Sequence, residues 1–159
     1  MRLREREAAY EKLKFYQDIC DMRRIVYKIS ERFKKSHMRL VSQMRDAARS
    51  AKQNIREGYK KGTVGEFAHS IRISLGSLEE LSGDVEDCLE DGLMAKDEFA
   101  QLSKLFKSAD YMANRYLESL YKMEREGTWK TPGNRNKKHP VTFSRHKYGQ
   151  VTSSNIQQP

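Results

Sequence analysis

The sequence predicts an all-α protein: an antiparallel up-down-up-down four-helix bundle followed by a disordered basic C-terminal tail. Three observations carry that expectation. Apolar residues recur at three- and four-residue spacings through four successive stretches, which is the period of one helical face. The stretches are joined by short segments punctuated by glycine, at Gly62 and at Gly92. Between them no run of useful length alternates apolar and polar residues as a half-buried strand does.

The first helix is expected from 8 to 33, where Phe15, Ile19, Met22, Val26, Ile29 and Phe33 mark one buried face. A basic loop at 34–37 follows, and Ser36 is a candidate N-cap for the second helix. That helix runs to about Lys60, with Met44, Ala48, Ala51 and Ile55 on its apolar face. The third helix starts at Thr63 or Gly65 and continues to Asp91, carrying Phe67, Ile71, Leu75, Leu78 and Leu81. Ala47, Ala48, Ala51 and Gly58 on one helix and Gly76 on the next are small enough for two backbones to approach closely. Glycine inside a helix costs roughly 1 kcal/mol against alanine, so Gly76 reads as a mark of tight packing, with simple tolerance of one glycine as the alternative. Gly92 fits the left-handed position that ends many helices. The fourth helix begins near 95–97, with Asp97 and Glu98 in its first turn, where the helix dipole favours acids. Phe99, Leu102, Phe106, Ala109, Ala113, Tyr116 and Leu120 form its core face. Gly127 stops it, and Pro132-Gly133 opposes a restart. Four helices of about 25 residues would each be about 38 Å long, and short connections make neighbours antiparallel.

The chain of 159 residues is expected to hold one domain, a bundle at 1–128, and a tail at 129–159. From Trp129 onward proline, glycine, asparagine, serine and glutamine dominate and aliphatic residues are few. Such a segment cannot bury enough apolar surface to offset its ordering entropy. Trp129 either packs back on the bundle end or anchors a partner. A hydrophobic fraction of 37% beside a charged fraction of 33% suits long, solvent-rich helices. No apolar run approaches 18 residues, so no membrane span is expected. The opening MRLRERE lacks the apolar core of a secretory signal, which points to the cytoplasm. There Cys20 and Cys88 stay reduced and act as small buried hydrophobes.

The net charge is +9, and residues 130–159 hold six cations and no acid, which leaves +3 for the rest. Charge in the body is segregated into rows. On the second helix Arg45, Arg49, Lys52, Arg56 and Lys60 are spaced four, three, four and four, and Lys61 extends the row into the turn. On the first helix Arg24, Lys28, Arg32 and Lys35 repeat the pattern. A row of cations along a helix tracks phosphates, with affinity that falls steeply as salt rises. A solvated face is the alternative for either row. Against them stands an acidic row on the third helix: Glu80, Asp84, Asp87 and Asp91. Acids in the last turns of a helix oppose its dipole by roughly 0.3–1 kcal/mol each at low salt, so this row suits a cationic partner. It would face the basic row of a second copy in a head-to-tail ring, or it would repel nucleic acid from one side.

Catalytic and metal chemistry find no support. No loop alternates oxygen ligands, and no pair of Glu-x-x-His motifs stands on facing helices for a carboxylate-bridged metal. The four histidines share no ligand spacing with the cysteines. Gly58 to Gly65 reads GYKKGTVG and lacks the Gly-Lys-Ser/Thr of a phosphate-binding loop. Ser50 and Ser77 have no nucleophile-elbow context. With Asn54 and Glu80 they are expected to make polar contacts between the second and third helices. No enzyme activity, cofactor or metal is therefore expected. In the tail, NRNKKHPVTFSRHKYGQ interleaves cations with Phe143 and Tyr148, a pattern that holds single strands without sequence preference. A solubilising tail is the equal alternative.

SQMRDAARSAKQNIREGYKKG followed by EFAHSIRISLGSLEEL resembles the four-helix-bundle family of bacterial proteins encoded in intervening sequences of 23S ribosomal RNA. The accessory variability proteins of diversity-generating retroelements belong to the same family. The resemblance covers residues 10 to 126 and is most specific at Gln43 to Gly58 and at Gly76 to Leu81. It implies a homopentameric bundle without enzymatic activity; in retroelements such proteins accompany a reverse transcriptase and its RNA. Two functional expectations follow. One is a non-enzymatic accessory that binds RNA or DNA through the cations of the first two helices and assists a reverse transcriptase in mutagenic retrohoming. The other is a protein-interaction scaffold whose charged rows serve assembly and docking.

Overall fold

The computed structural model describes residues 8–130. Four α-helices account for most of them: α1 Lys14–Ser30, α2 Met38–Lys60, α3 Val64–Glu90 and α4 Lys96–Glu126. There is no strand among the described residues. Sequential helices pack side by side, α1 also packs on α4, and the diagonal pairs do not approach each other. The result is a closed square of four helices with one central core.

The core follows the expected periodicity. Phe15, Ile19, Met22 and Val26 of α1 meet Met44, Ala48, Ala51 and Ile55 of α2, Phe67, Ile71, Leu81 and Val85 of α3, and Leu102, Ala109 and Leu120 of α4, all essentially buried. Complete burial of a side chain such as Phe67 or Leu81 stabilises the fold by roughly 1.5–3 kcal/mol. Phe99, Phe106, Tyr116 and Leu75, expected on core faces, are only half-buried at its margins.

The α2–α3 pair is the tightest. A β-carbon on Gly58 would overlap the side chain of Ser70, so that glycine is what lets the two backbones come together. The Ser74 hydroxyl donates to the Ala51 carbonyl at 2.6 Å across the same seam. Ser50 and Ser77 hydroxyls lie 3.1 Å apart, and Asn54 donates to Ser50. Glu80 takes no part in this polar contact. The packing role expected of Gly76 is overturned: it is exposed, and a β-carbon there would meet nothing within 4 Å.

Helix ends differ from expectation at two places. The first helix is not continuous from 8 to 33. A 3-10 turn at Ala9–Lys12 precedes α1, and Leu13 between them is extended. The break folds Tyr10 back over the bundle end, where its ring lies 5.1 Å from Tyr16 and 5.2 Å from Tyr59. Phe33 falls outside α1, half-buried in the turn beside His37. Ser36 does not cap α2, because a 3-10 turn at Lys35–His37 occupies that stretch and His37 precedes the helix without a side-chain cap. Elsewhere the ends fall as expected. Thr63 accepts the Glu66 amide at the start of α3. Gly62, Gly92 and Gly127 have positive φ at the three turns where the chain reverses or stops.

Trp129, assigned from sequence to the tail, packs on the bundle. Its indole donates to the Gly62 carbonyl at 3.1 Å, and its ring lies 6.0 Å from Phe67 and 6.3 Å from Tyr59. The rest of the expected tail, beyond Lys130, lies outside the described residues. Cys88 is fully buried and Cys20 half-buried, both as free thiols. No helix among the described residues is long and apolar enough to cross a membrane.

Candidate nucleic-acid interface

Two edges of α2 are fixed by what they touch. Ser50 and Ala51 face α3. Arg45 faces α1, where its guanidinium donates to Ser30 Oγ at 2.9 Å and lies over the Tyr27 ring. Tyr59 shares that edge, near Tyr10. At 100° per residue, Arg49, Lys52, Arg56 and Lys60 fall within about 40° of Arg45 or slightly further round toward solvent. The row therefore borders the α1/α2 seam along most of the length of the bundle.

Its members are not equivalent. Arg45 is half-buried and tied to α1, so it is a structural residue as well as a cation. Arg49, Arg56, Lys60 and Lys61 are exposed and Lys52 is half-buried. None of these five has a carboxylate within 4 Å among the described residues.

The row expected on the first helix is a different case: only Arg24 and Lys28 lie on α1, while Arg32 and Lys35 fall in the turn beyond it. Asp18 of that helix accepts from Ser108 of α4 at 2.6 Å, which marks the edge turned to α4. Arg32 lies on the same side and reaches Glu98 of α4 with two hydrogen bonds, at 2.7 and 2.8 Å. The bidentate guanidinium lowers the Glu98 carboxyl below its ordinary range, helped by the Ala95 amide, and Glu98 in turn raises Arg32. Arg24 is paired with Asp21. Only Lys28 and Lys35 of this row are exposed without an ion pair among the described residues. Arg32 thus borders the α1/α4 seam and not the α1/α2 seam, and half of this row is already neutralised.

Sequence periodicity missed Arg23. It lies off the α1 row, one residue before Arg24, and its guanidinium sits over Tyr27 at 4.7 Å on the α2 side. The signal available was the four-residue spacing of Arg23 and Tyr27, which places a cation and an aromatic ring on one face.

The acidic row runs along the outer face of α3. Glu80, Asp87 and Asp91 are exposed and Asp84 is half-buried. None has a cationic partner within 4 Å among the described residues. Burial, then Asp87 and Glu80, raise the Asp84 carboxyl above its ordinary value. Burial and the neighbouring acids Asp84, Asp87 and Asp91 push the Cys88 thiol up to about 11. The last turn of α3 holds no basic residue to offset them. Beside this row Ile73, 43% exposed, stands next to Gly76. Among the described residues no group of three or more His, Cys, Asp or Glu side chains is arranged to hold a metal ion.

No curated protein matches the chain. A family model does, that of the 23S rRNA-intervening sequence protein, over residues 11–115. The match begins just ahead of α1 and ends inside α4, so it takes in both basic rows, the acidic row and the glycine-tight α2–α3 seam. With two thirds of its length matched in this way, the chain belongs to the 23S rRNA-intervening sequence protein family.

Proposed function

We propose that this protein is a non-enzymatic, homo-oligomeric accessory that binds RNA or DNA through the α2 row. In this it would work as the retroelement accessory variability proteins do, assisting a reverse transcriptase and its template RNA. The observation that carries the reading is the set of five cations, Arg49, Lys52, Arg56, Lys60 and Lys61, with no acid answering them among the described residues. Cations gathered on one seam, apart from the acidic row of α3, form the electrostatic footprint of a polyanion site. Phosphate contacts release counterions, so affinity should fall linearly in log–log salt.

The test compares binding of labelled single-stranded RNA, single-stranded DNA and duplexes across about 50 to 300 mM salt, a range over which phosphate contacts weaken strongly. Full-length protein, a chain ending at Trp129, and an Arg49→Glu/Lys52→Glu/Arg56→Glu variant are measured side by side. Salt-sensitive binding that survives truncation and is lost in the triple variant is the expected result. Binding that disappears with the tail moves the activity to residues 130–159. No binding by any form removes the nucleic-acid reading.

A second reading has its own observation. The unanswered acids of α3 favour a scaffold whose charged rows serve oligomer assembly and partner docking, with nucleic acid playing no part.

A further inference from the structure

At the α2 N-terminal half of the seam two cations converge on one ring. The Arg23 and Arg45 guanidinium carbons lie 4.7 and 4.5 Å from the Tyr27 centroid, hence no more than about 9 Å from each other. Like charges that close repel, and no carboxylate lies within 4 Å of either among the described residues. Arg45 is held in orientation by Ser30 Oγ at 2.9 Å and by the Tyr27 carbonyl at 3.4 Å. Arg23 makes no hydrogen bond among the described residues, so its donors are unspent. Both are half-buried, against a ring that limits the rotamers they sample.

We propose that Arg23 and Arg45, seated on Tyr27, form a fixed site for one phosphodiester group of a nucleic-acid strand. This rests on the nucleic-acid reading of the α2 row, of which Arg45 is the first member and Arg49 the next. Planar guanidinium forks match phosphate oxygens two at a time, and an anion between the two groups removes their mutual repulsion. The ring already carries two cations, so the site reads the backbone and not the base, and it is indifferent to sequence. It also extends the interface from α2 onto α1, by a residue outside both basic rows.

Arg23 gives the clean test, because no hydrogen bond of the fold depends on it. Binding of a labelled single-stranded oligonucleotide is measured against salt for wild type, Arg23→Gln and Arg23→Lys, with thermal melting of each. Arg23→Gln should melt like wild type, bind about tenfold more weakly, and flatten the log–log salt slope by about 0.7. Arg23→Lys should restore the slope and only part of the affinity, since an ammonium cannot fork. Inorganic phosphate at matched ionic strength should displace the strand from wild type better than chloride does, and should lose that advantage in Arg23→Gln; a phosphate advantage that Arg23→Gln leaves unchanged overturns the site. Arg23→Gln binding with wild-type affinity and slope overturns the site and leaves the α2 row standing. Wild type that binds no strand overturns both.

Discussion

A methyl group added at Gly58 and one added at Gly76 have opposite expected effects. At Gly58 the new carbon overlaps the Ser70 side chain at its own β-carbon, which cannot swing away, so α2 and α3 must separate. Overpacking of this kind costs about 1–3 kcal/mol, more than the gain of up to about 1 kcal/mol from replacing a helical glycine. At Gly76 the carbon enters open space and only the helix-propensity gain remains. Gly58→Ala should therefore lower the urea midpoint and Gly76→Ala should raise it, the latter by about 0.5–1 kcal/mol of stability. The sequence could not separate the two. Both are glycines within helical stretches, and what distinguishes them is a neighbour on another helix. The same limit hid Arg23, whose role depends on Arg45 arriving from α2, and left Arg32 in a free row although its partner Glu98 lies on α4.

Among the elements, α1 and α4 are pinned together at one end by Arg32 and Glu98. Arg32 is 55% exposed at its side chain and Glu98 20%, so solvent screens the pair and its contribution is about 0.5–1 kcal/mol. The folded Glu98 carboxyl titrates below its unfolded value, with the Arg32 hydrogen bonds as the first cause. The unfolded chain therefore takes up the proton first as pH falls. The stabilisation is complete above the unfolded glutamate value of about 4.3 and is lost as pH drops through the lower folded value. Arg32→Gln should be less stable than wild type at pH 7, and the gap should close at strongly acid pH; a gap independent of pH would mean that the pair contributes through packing alone. Helix ends were readable where a local residue sets them, as at Thr63 and Gly127. The break at Leu13 was not, because nothing local requires it: Tyr10 turning in to meet Tyr16 and Tyr59 does.

Across the molecule, the cationic row of α2 and the acidic row of α3 stand apart, and their separation sets a test of assembly. Both rows repeat at four, three and four residues, Arg45 to Arg56 on α2 and Glu80 to Asp91 on α3. A helix carrying one could lie along a helix carrying the other with each cation near an acid. Within one protomer they do not meet, since the basic row faces α1 and the acids are unpaired. A second copy would supply the missing partner, and a contact between two different surfaces closes into a ring when the rotation allows. Reversing Asp84 and Asp87 to lysine would then set like charges against each other at the contact, at a cost of several kcal/mol. The expected outcome is a lower mass by light scattering. Adding Arg49→Glu and Arg56→Glu to the same chain should restore it, because the signs are opposite again. An oligomer unchanged by the first pair would sink the ring contact and leave the acids to keep nucleic acid off α3. Rescue by the second pair would mean that the oligomer spends Arg49 and Arg56 of the α2 row on assembly, which would favour the scaffold reading over strand binding by that row.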